Sequence, residues 1–336
     1  MRLSEFKYTL PQELIAQKPL AQRDQSRLLV VSKDSSSIEH RKFFEILDYL
    51  RDDDLVVLNN TRVVATRLHG RKQTGGKVEV LLMKRRSPGV WEGMVKPGRR
   101  VAVGAGLVFD KGLAAEVVDR TEEGGRILRF DADTDPDELI ASVGHLPLPP
   151  YVHRRLHDPE RYQTVYAASD GSAAAPTAGL HFTPDLLDRI RRRGIQTVFI
   201  ALHVGIATFR PVRTEDIEDH QMHAESVEIS AESADIINSA RGRIVCVGTT
   251  TARALESAAV ATRKIACAGG ETRLFIRPPY DFKVVEALIT NFHMPGSTLL
   301  MLVSAFAGIE LVRRAYQEAV RTKYRFLSFG DAMFLY

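Results

Sequence analysis

The sequence predicts an α/β protein with a small all-β region inserted in it. Three observations carry that prediction. From residue 151 onward, apolar runs of strand length alternate with segments of helical spacing, the pattern that builds layered α/β domains. From residue 63 to 151 the runs are short, alternating and punctuated by glycine, as in a small β-barrel or sandwich. Residues 1–62 share the character of the C-terminal half. The expected organisation is therefore a discontinuous α/β domain, 1–62 plus 152–336, with 63–151 as the insert. A chain of 336 residues suits this, at roughly 100–200 residues per domain.

The elements follow in order. The segment before Pro11 is extended or irregular. Arg27–Val31 is a predicted strand, Phe43–Tyr49 a helix and Leu55–Leu58 a short buried strand. In the insert, Val78–Met83, Val90–Lys96, Leu107–Phe109, Ala114–Asp119 and Ile127–Phe130 are predicted strands, with glycines supplying the turns. Leu146–Pro150 is a proline-rich exit linker. Thr183-Pro184-Asp185 forms an N-cap with proline at the first helical position. Leu186, Leu187 and Ile190 are spaced for one helical face, and Gly194 ends that helix. Thr197–Val204 is a strand, Ala231–Ser239 a helix, Arg243–Val247 a strand and Thr250–Thr262 a helix. Val284–Ile289 is a strand and Ser297–Val312 a buried helix. Glu318–Lys323 is helical, and Phe326–Tyr336 is strand-like.

Composition excludes several classes. Hydrophobic residues make up 44% and charged residues 26%, an ordinary globular balance. Lys plus Arg number 46 against 42 for Asp plus Glu, a net charge of +4 that suits a polyanion such as RNA without requiring one. The two cysteines, Cys246 and Cys267, have neither disulfide-framework nor zinc spacing. Cys246 lies in an apolar run and reads as a buried thiol in a reducing compartment. The N-terminus lacks the apolar core of a signal peptide. The longest apolar stretch, Leu299–Val312, contains Glu310 and is shorter than the ~20 residues that span a bilayer. A cytoplasmic protein is expected.

Polar clusters follow the predicted strands. Leu55–Leu58 runs into Asn59, Asn60, Thr61 and Arg62. Thr197–Leu202 runs into His203, then Thr208-Phe209-Arg210. Arg243–Val247 runs into Gly248, Thr249, Thr250 and Thr251. Val284–Ile289 runs into Thr290, Asn291, Phe292 and His293. In α/β folds the carboxyl ends of strands line the ligand crevice, so the repetition points to a site there. Gly248–Thr251 opens a helix, where backbone N–H groups favour an anion such as a carboxylate, though an ordinary threonine cap gives the same pattern. His220, His223 and Glu225 lack zincin spacing and a nearby cysteine, so a polar network or substrate contact is expected, not a metal. His181 and His203 flank a predicted helix–strand unit, which raises both. There is no phosphate-binding G-x-x-x-x-G-K-[ST], no dinucleotide fingerprint and no G-x-S-x-G nucleophile elbow.

Longer motifs add a resemblance. Tyr162–Ala167, Gly171–Phe182, Leu202–Gly205, Thr208–Val212, His220–Glu225, Gly248–Thr250, Leu288–Pro295, Ser297–Val303 and Gly330–Met333 occur in that order, after the opening Leu3–Pro11 and Leu58–Arg62. Together they resemble the S-adenosylmethionine:tRNA ribosyltransferase-isomerases of queuosine biosynthesis, from Arg2 to the C-terminus. The resemblance implies a mixed α/β-barrel-like domain carrying a small inserted β-barrel. It implies transfer and isomerisation of the ribosyl part of S-adenosylmethionine onto 7-aminomethyl-7-deazaguanine (preQ1) at the tRNA wobble position. The product is epoxyqueuosine-tRNA, with adenine and methionine released. The partners implied are tRNA and S-adenosylmethionine, a consumed substrate, with no cofactor, no metal and no membrane; a monomer is expected. Ala207, Arg277-Pro278-Pro279 and Gly296 depart from the family pattern and bear on loop shape, not on reaction class.

Such a reaction asks for proton transfers, for which histidine has a suitable pKa. His181 and His203 are the expected proton-transfer groups, with Asp331 as an orienting or basic carboxylate. Phe182, Phe292 and Tyr280 are candidates to stack on a base or face the sulfonium, with core packing the plainer alternative for each. Gly248–Thr251 is the candidate cradle for the methionine carboxylate, and Arg210 for a phosphate or carboxylate. Two other classes compete. A noncatalytic RNA-binding module does not explain the polar rim. A base-exchanging transglycosylase normally needs a cysteine-rich zinc site that two cysteines do not build.

Overall fold

The computed structural model describes residues 1–121, 124–131, 135–154, 156–205, 212 and 214–336. The chain divides into two compact units, one of Met1–Arg62 with Pro149–Tyr336 and one of Val63–Leu148.

The larger unit is built on a nine-stranded sheet. Its strand order, from one edge, is Ala268–Thr272, Glu225–Ile229, Gln196–His203, Leu55–Asn59, Ile244–Val247, Ala287–Asn291, Ala332–Leu335, Arg27–Val31 and Ile38–Lys42. Four central strands are parallel, with Gln196 opposite Leu55, Ile244 also opposite Leu55, and Val245 opposite Ala287. Successive residues of Leu55–Asn59, and of Arg27–Val31 nearer one edge, go to opposite faces, as the two-residue repeat of a strand requires. Leu29, Val31, Leu55 and Val57 join one core cluster, while Leu28, Val30, Val56 and Leu58 join another. Both faces are therefore covered, which is why these strands read as continuous apolar runs.

Helices cover the faces. Pro184–Arg192 starts where Thr183 Oγ1 accepts from the Leu186 amide at 3.2 Å, and Gly194 follows it at φ 82°. Leu186, Leu187 and Ile190 are its buried stripe, each worth roughly 1.5–3 kcal/mol by area. The apolar stretch read as one helix is two, Thr298–Ala307 and Ile309–Arg321, broken at Gly308 with φ 88°. The helix expected at Phe43–Tyr49 is a 3₁₀ helix, Phe43–Asp48. Cys246 is fully buried, and burial pushes its thiol well above the usual range. Among the described residues no helix is long and apolar enough to cross a membrane.

The smaller unit is a closed six-stranded barrel. Leu68, Val80, Leu82, Leu107, Val117 and Leu128 fill its interior. Its strands include the five expected ones plus Arg67–Lys72, and Pro136–Val143 adds a helix.

Candidate active site

Parallel pairing places the carboxyl ends of Gln196–His203, Leu55–Asn59, Ile244–Val247 and Ala287–Asn291 on one edge of the sheet. His203, Asn59, Gly248 and Asn291 therefore share a rim. Ala332 pairs with Asn291 in antiparallel register, so Asp331 joins the same rim, as does Glu225, which precedes the pair formed by Ser226 with His203. What the sequence spread over hundreds of residues is thus brought together by topology.

Within the rim the residues form three groups. The first is an open cleft of ≈ 680 Å³, counting the solvent at its mouth. His220, His223, Glu225, Thr249 and Thr250 line it, together with Arg253. Met222, Phe275, Leu299 and Leu302 give it an apolar wall. Gly248, at φ 95°, turns the chain into helix Thr249–Ala258, whose first amides have no side-chain cap. Thr251 does not face this cleft: it is fully buried, and its hydroxyl donates to the Val247 carbonyl at 2.6 Å. Arg253 forms a buried ion pair with Glu225 and donates to the carbonyls of Leu274 at 2.9 Å, His223 at 3.1 Å and Thr272 at 3.2 Å. All of these bonds go to the protein itself, so the pair is a rigid floor. Burial, with His223 beside it, holds His220 below the usual imidazole range.

The second group centres on His203. Thr61 Oγ1 lies 2.8 Å from His203 Nδ1 and 3.4 Å from the Ser169 carbonyl. Glu228 Oε1 lies 3.7 Å from Nε2. Gly171 packs against the ring: at φ 133°, a Cβ there would sit 3.1 Å from Nδ1. Asn59 joins this group to the cleft. Its side chain accepts from the amides of Thr61 at 3.1 Å and Leu202 at 3.2 Å, and donates to Leu202 O at 3.0 Å and Thr250 Oγ1 at 3.4 Å. Asn60 adds a buried Oδ1 that has no hydrogen-bond partner among the described residues.

The third group is fully enclosed. His181 stacks on Phe43 at 4.9 Å. Its Nε2 is approached by Arg23 Nη2 at 3.4 Å and Asn291 Nδ2 at 3.2 Å, both donors. Nε2 therefore accepts, and Nδ1 carries the proton given to Ser26 Oγ at 2.6 Å. Burial, and then Arg23, hold this imidazole neutral, well below its usual range. Asn291 Oδ1 accepts from Thr177 at 3.1 Å. Asp331, also buried, accepts from the amides of Arg27 at 3.0 Å and Arg325 at 2.8 Å and pairs with Arg27 Nε at 3.4 Å. His181 and Asp331 are 0% and 2% exposed, so neither faces open space.

Other expected residues stand apart from the rim's open part. Phe182 and Phe292 are core residues, 1% and 0% exposed, so neither presents a free ring face. Phe182 meets Phe43 edge-on, and Phe292 sits among Tyr316, Tyr324 and Phe326. Tyr280 is half-buried and donates to Glu256 at 3.2 Å. Buried His293 pairs with Thr290 at 2.8 Å, and burial lowers its pKa to about 3. Arg62 pairs with Glu160. Arg210 and Ala207 lie outside the described residues. Among the departures from the family pattern, Arg277 pairs with Glu218 at 3.5 Å, and Gly296 adopts φ 67° with Leu3 packed where a Cβ would stand.

Sequence reasoning missed Arg253, Met222 and Phe275. Arg253 was within reach, because it lies three and four residues after Thr250 and Thr249 and so shares their helical face. Among the described residues, no group of three or more His, Cys, Asp or Glu is arranged to hold a metal ion.

A family model described as queuosine biosynthesis protein matches residues 3–335. Curated proteins named S-adenosylmethionine:tRNA ribosyltransferase-isomerase are similar over the full length of both chains. Those from Clostridioides difficile and Caldanaerobacter subterraneus are 51% and 52% identical over 340 aligned positions. A crystal structure of an S-adenosylmethionine tRNA ribosyltransferase from Thermotoga maritima is 40% identical, with a TM-score of 0.57 over 99% of this chain and 100% of that one. The chain belongs to the queuosine biosynthesis protein family.

Proposed function

We propose that this chain transfers and isomerises the ribosyl part of S-adenosylmethionine onto preQ1 at the tRNA wobble position, giving epoxyqueuosine-tRNA, adenine and methionine. The single observation that carries this reading is full-length similarity to relatives named for that activity, at about half identity. The rim supplies a place for the chemistry.

The cleft takes S-adenosylmethionine. Its apolar wall, with Met222 and Phe275, suits adenine. The uncapped N-terminus at Thr249 and Thr250 suits the methionine carboxylate. The Glu225–Arg253 pair keeps the helix and the neighbouring strand in register beneath the substrate.

His203 is the proton-transfer residue. The sulfonium acidifies the adjacent C5′ hydrogens, so a base removes one; adenine leaves with a proton; the aminomethyl group gives one up; methionine departs as a neutral thioether. Thr61 holds the His203 ring in one tautomer: its hydroxyl donates to Ser169 O and accepts from His203 Nδ1–H. Nε2 then takes a proton as a base, and the imidazolium so formed, with Nδ1–H still on Thr61, returns it as an acid. His181, neutral and enclosed, is a positioning residue that fixes Arg23 and Asn291. Asp331 positions the start of strand Arg27–Val31.

The test is one reaction. The protein is incubated with S-adenosylmethionine and preQ1-containing tRNA, and adenine and the tRNA nucleoside are followed by mass spectrometry. Stoichiometric adenine with an epoxycyclopentane-bearing nucleoside is expected. Methylated tRNA, or S-adenosylmethionine left intact with active substrate tRNA, contradicts the reading.

A further inference from the structure

The barrel holds a charge asymmetry that its own ion pairs do not use. Arg67 faces Glu79, Arg85 faces Asp137, Arg86 faces Glu92 and Arg129 faces Glu116. These pairs lie along the strands or toward the turn between Ser87 and Val90. The other end of the barrel is different. Strand Arg67–Lys72 finishes there, beside the start of Lys77–Ser87, because Arg71 pairs with Lys77. Strand Val90–Lys96 also finishes there, because Lys96 pairs with Glu79, and the turn Gly98–Arg100 follows.

Register alone therefore gathers Arg71, Lys72, Lys77, Lys96, Arg99 and Arg100. All are exposed except Lys72, which is half-buried. Lys72 Nζ donates to the Arg100 carbonyl at 3.3 Å, which ties the hairpin to the turn. None of the six is in an ion pair among the described residues. Beneath them Arg126, 6% exposed, donates to the carbonyls of Val101 at 3.0 Å, Gly98 at 2.8 Å, Gly124 at 3.0 Å and Gly125 at 2.9 Å. The turn that presents Arg99 and Arg100 is thus stapled by a further cation.

We propose that this end of the barrel docks the phosphate backbone of the substrate tRNA, with Arg71, Lys77, Arg99 and Arg100 contacting phosphates. The inference rests on the reading that tRNA is the substrate. Like charges held together repel, and a polyanion is the partner that turns that repulsion into binding. The segments 71–77 and 96–105 contain no aromatic residue, so they have no platform for stacking bases. Contacts of this kind position an RNA and carry no sequence information.

Two full-length variants with equal loss of charge decide it. One carries Arg71→Gln, Arg99→Gln and Arg100→Gln. The control carries Arg85→Gln, Arg86→Gln and Arg129→Gln. tRNA binding is measured across a salt series, with KM for tRNA and for S-adenosylmethionine and a melting temperature for each protein. For the first variant, the slope of log affinity against log salt becomes shallower by about 0.7–0.9 for each phosphate no longer neutralised. Its KM for tRNA rises about tenfold, while KM for S-adenosylmethionine holds and the fold melts as the wild type does. The control keeps the wild-type slope. Equal slopes and tRNA KM values for the two variants, beside a wild type that modifies tRNA, overturn this proposal alone. A wild type that neither binds nor modifies tRNA overturns both it and the functional reading.

Discussion

His181 and His293 look alike in the sequence, as histidines in polar clusters, and both are buried as neutral imidazoles. The sign of their effect on stability follows. In the unfolded chain each takes up a proton as pH falls through about 6.5. In the folded chain His293 resists until about 3, and His181 is held well below its usual value. The unfolded state therefore binds more protons over that window, and stability is lost as pH falls below 6.5. Denaturant unfolding at pH 7 and pH 5 checks this: a loss of a few kcal/mol is expected, up to ~1.4 kcal/mol per pH unit for each histidine. Changing His293 to Gln removes about half of that slope. A pH-independent midpoint contradicts the burial account. At this scale the sequence showed that polar residues gather after strands, but not which face the cleft. Thr250 lines it while Thr251 bonds back to Val247, and only the helical phase separates them.

Gly248 carries the most consequence among the elements. It turns strand Ile244–Val247 into helix Thr249–Ala258 at φ 95°. A methyl group on its Cα would stand 3.4 Å from Thr250 Oγ1 and 3.7 Å from Ala178 Cβ. Space is adequate for that methyl, so the cost of Gly248→Ala is conformational, about 1–3 kcal/mol, because φ 95° with ψ 149° is a region nearly restricted to glycine. The expected outcome is a modest fall in melting temperature with a several-fold rise in KM for S-adenosylmethionine, because the helix N-terminus shifts. An unchanged KM separates this turn from substrate binding. Strong local signals were legible, as in helix Pro184–Arg192 with its threonine cap and closing glycine. The strand read at Val284–Ile289 is Ala287–Asn291 instead. The amides of Val284 and Val285 bond to the buried carboxylate of Glu256 at 2.9 and 3.0 Å, a long-range contact that removes them from the ladder. Ile38–Lys42 escaped notice because it is an edge strand with polar residues on both faces.

For the whole molecule, the α/β class and an all-β insert, barrel or sandwich, followed from period and punctuation; the choice of a barrel was implied by the family resemblance, which rested on ordered motifs, and the insert is a closed barrel. The rim needed the sheet order, because parallel pairing is what brings residues 59, 203, 248 and 291 to one edge. The account makes His203 the group that moves protons there, tuned by Thr61. The most direct test is single-turnover adenine release by the wild type and His203→Ala, at saturating S-adenosylmethionine and preQ1-tRNA, with S-adenosylmethionine affinity measured alongside. The account predicts a loss of about 10²–10⁴-fold in rate with affinity changed by less than about threefold. Adenine release at the wild-type rate from the alanine variant would contradict it.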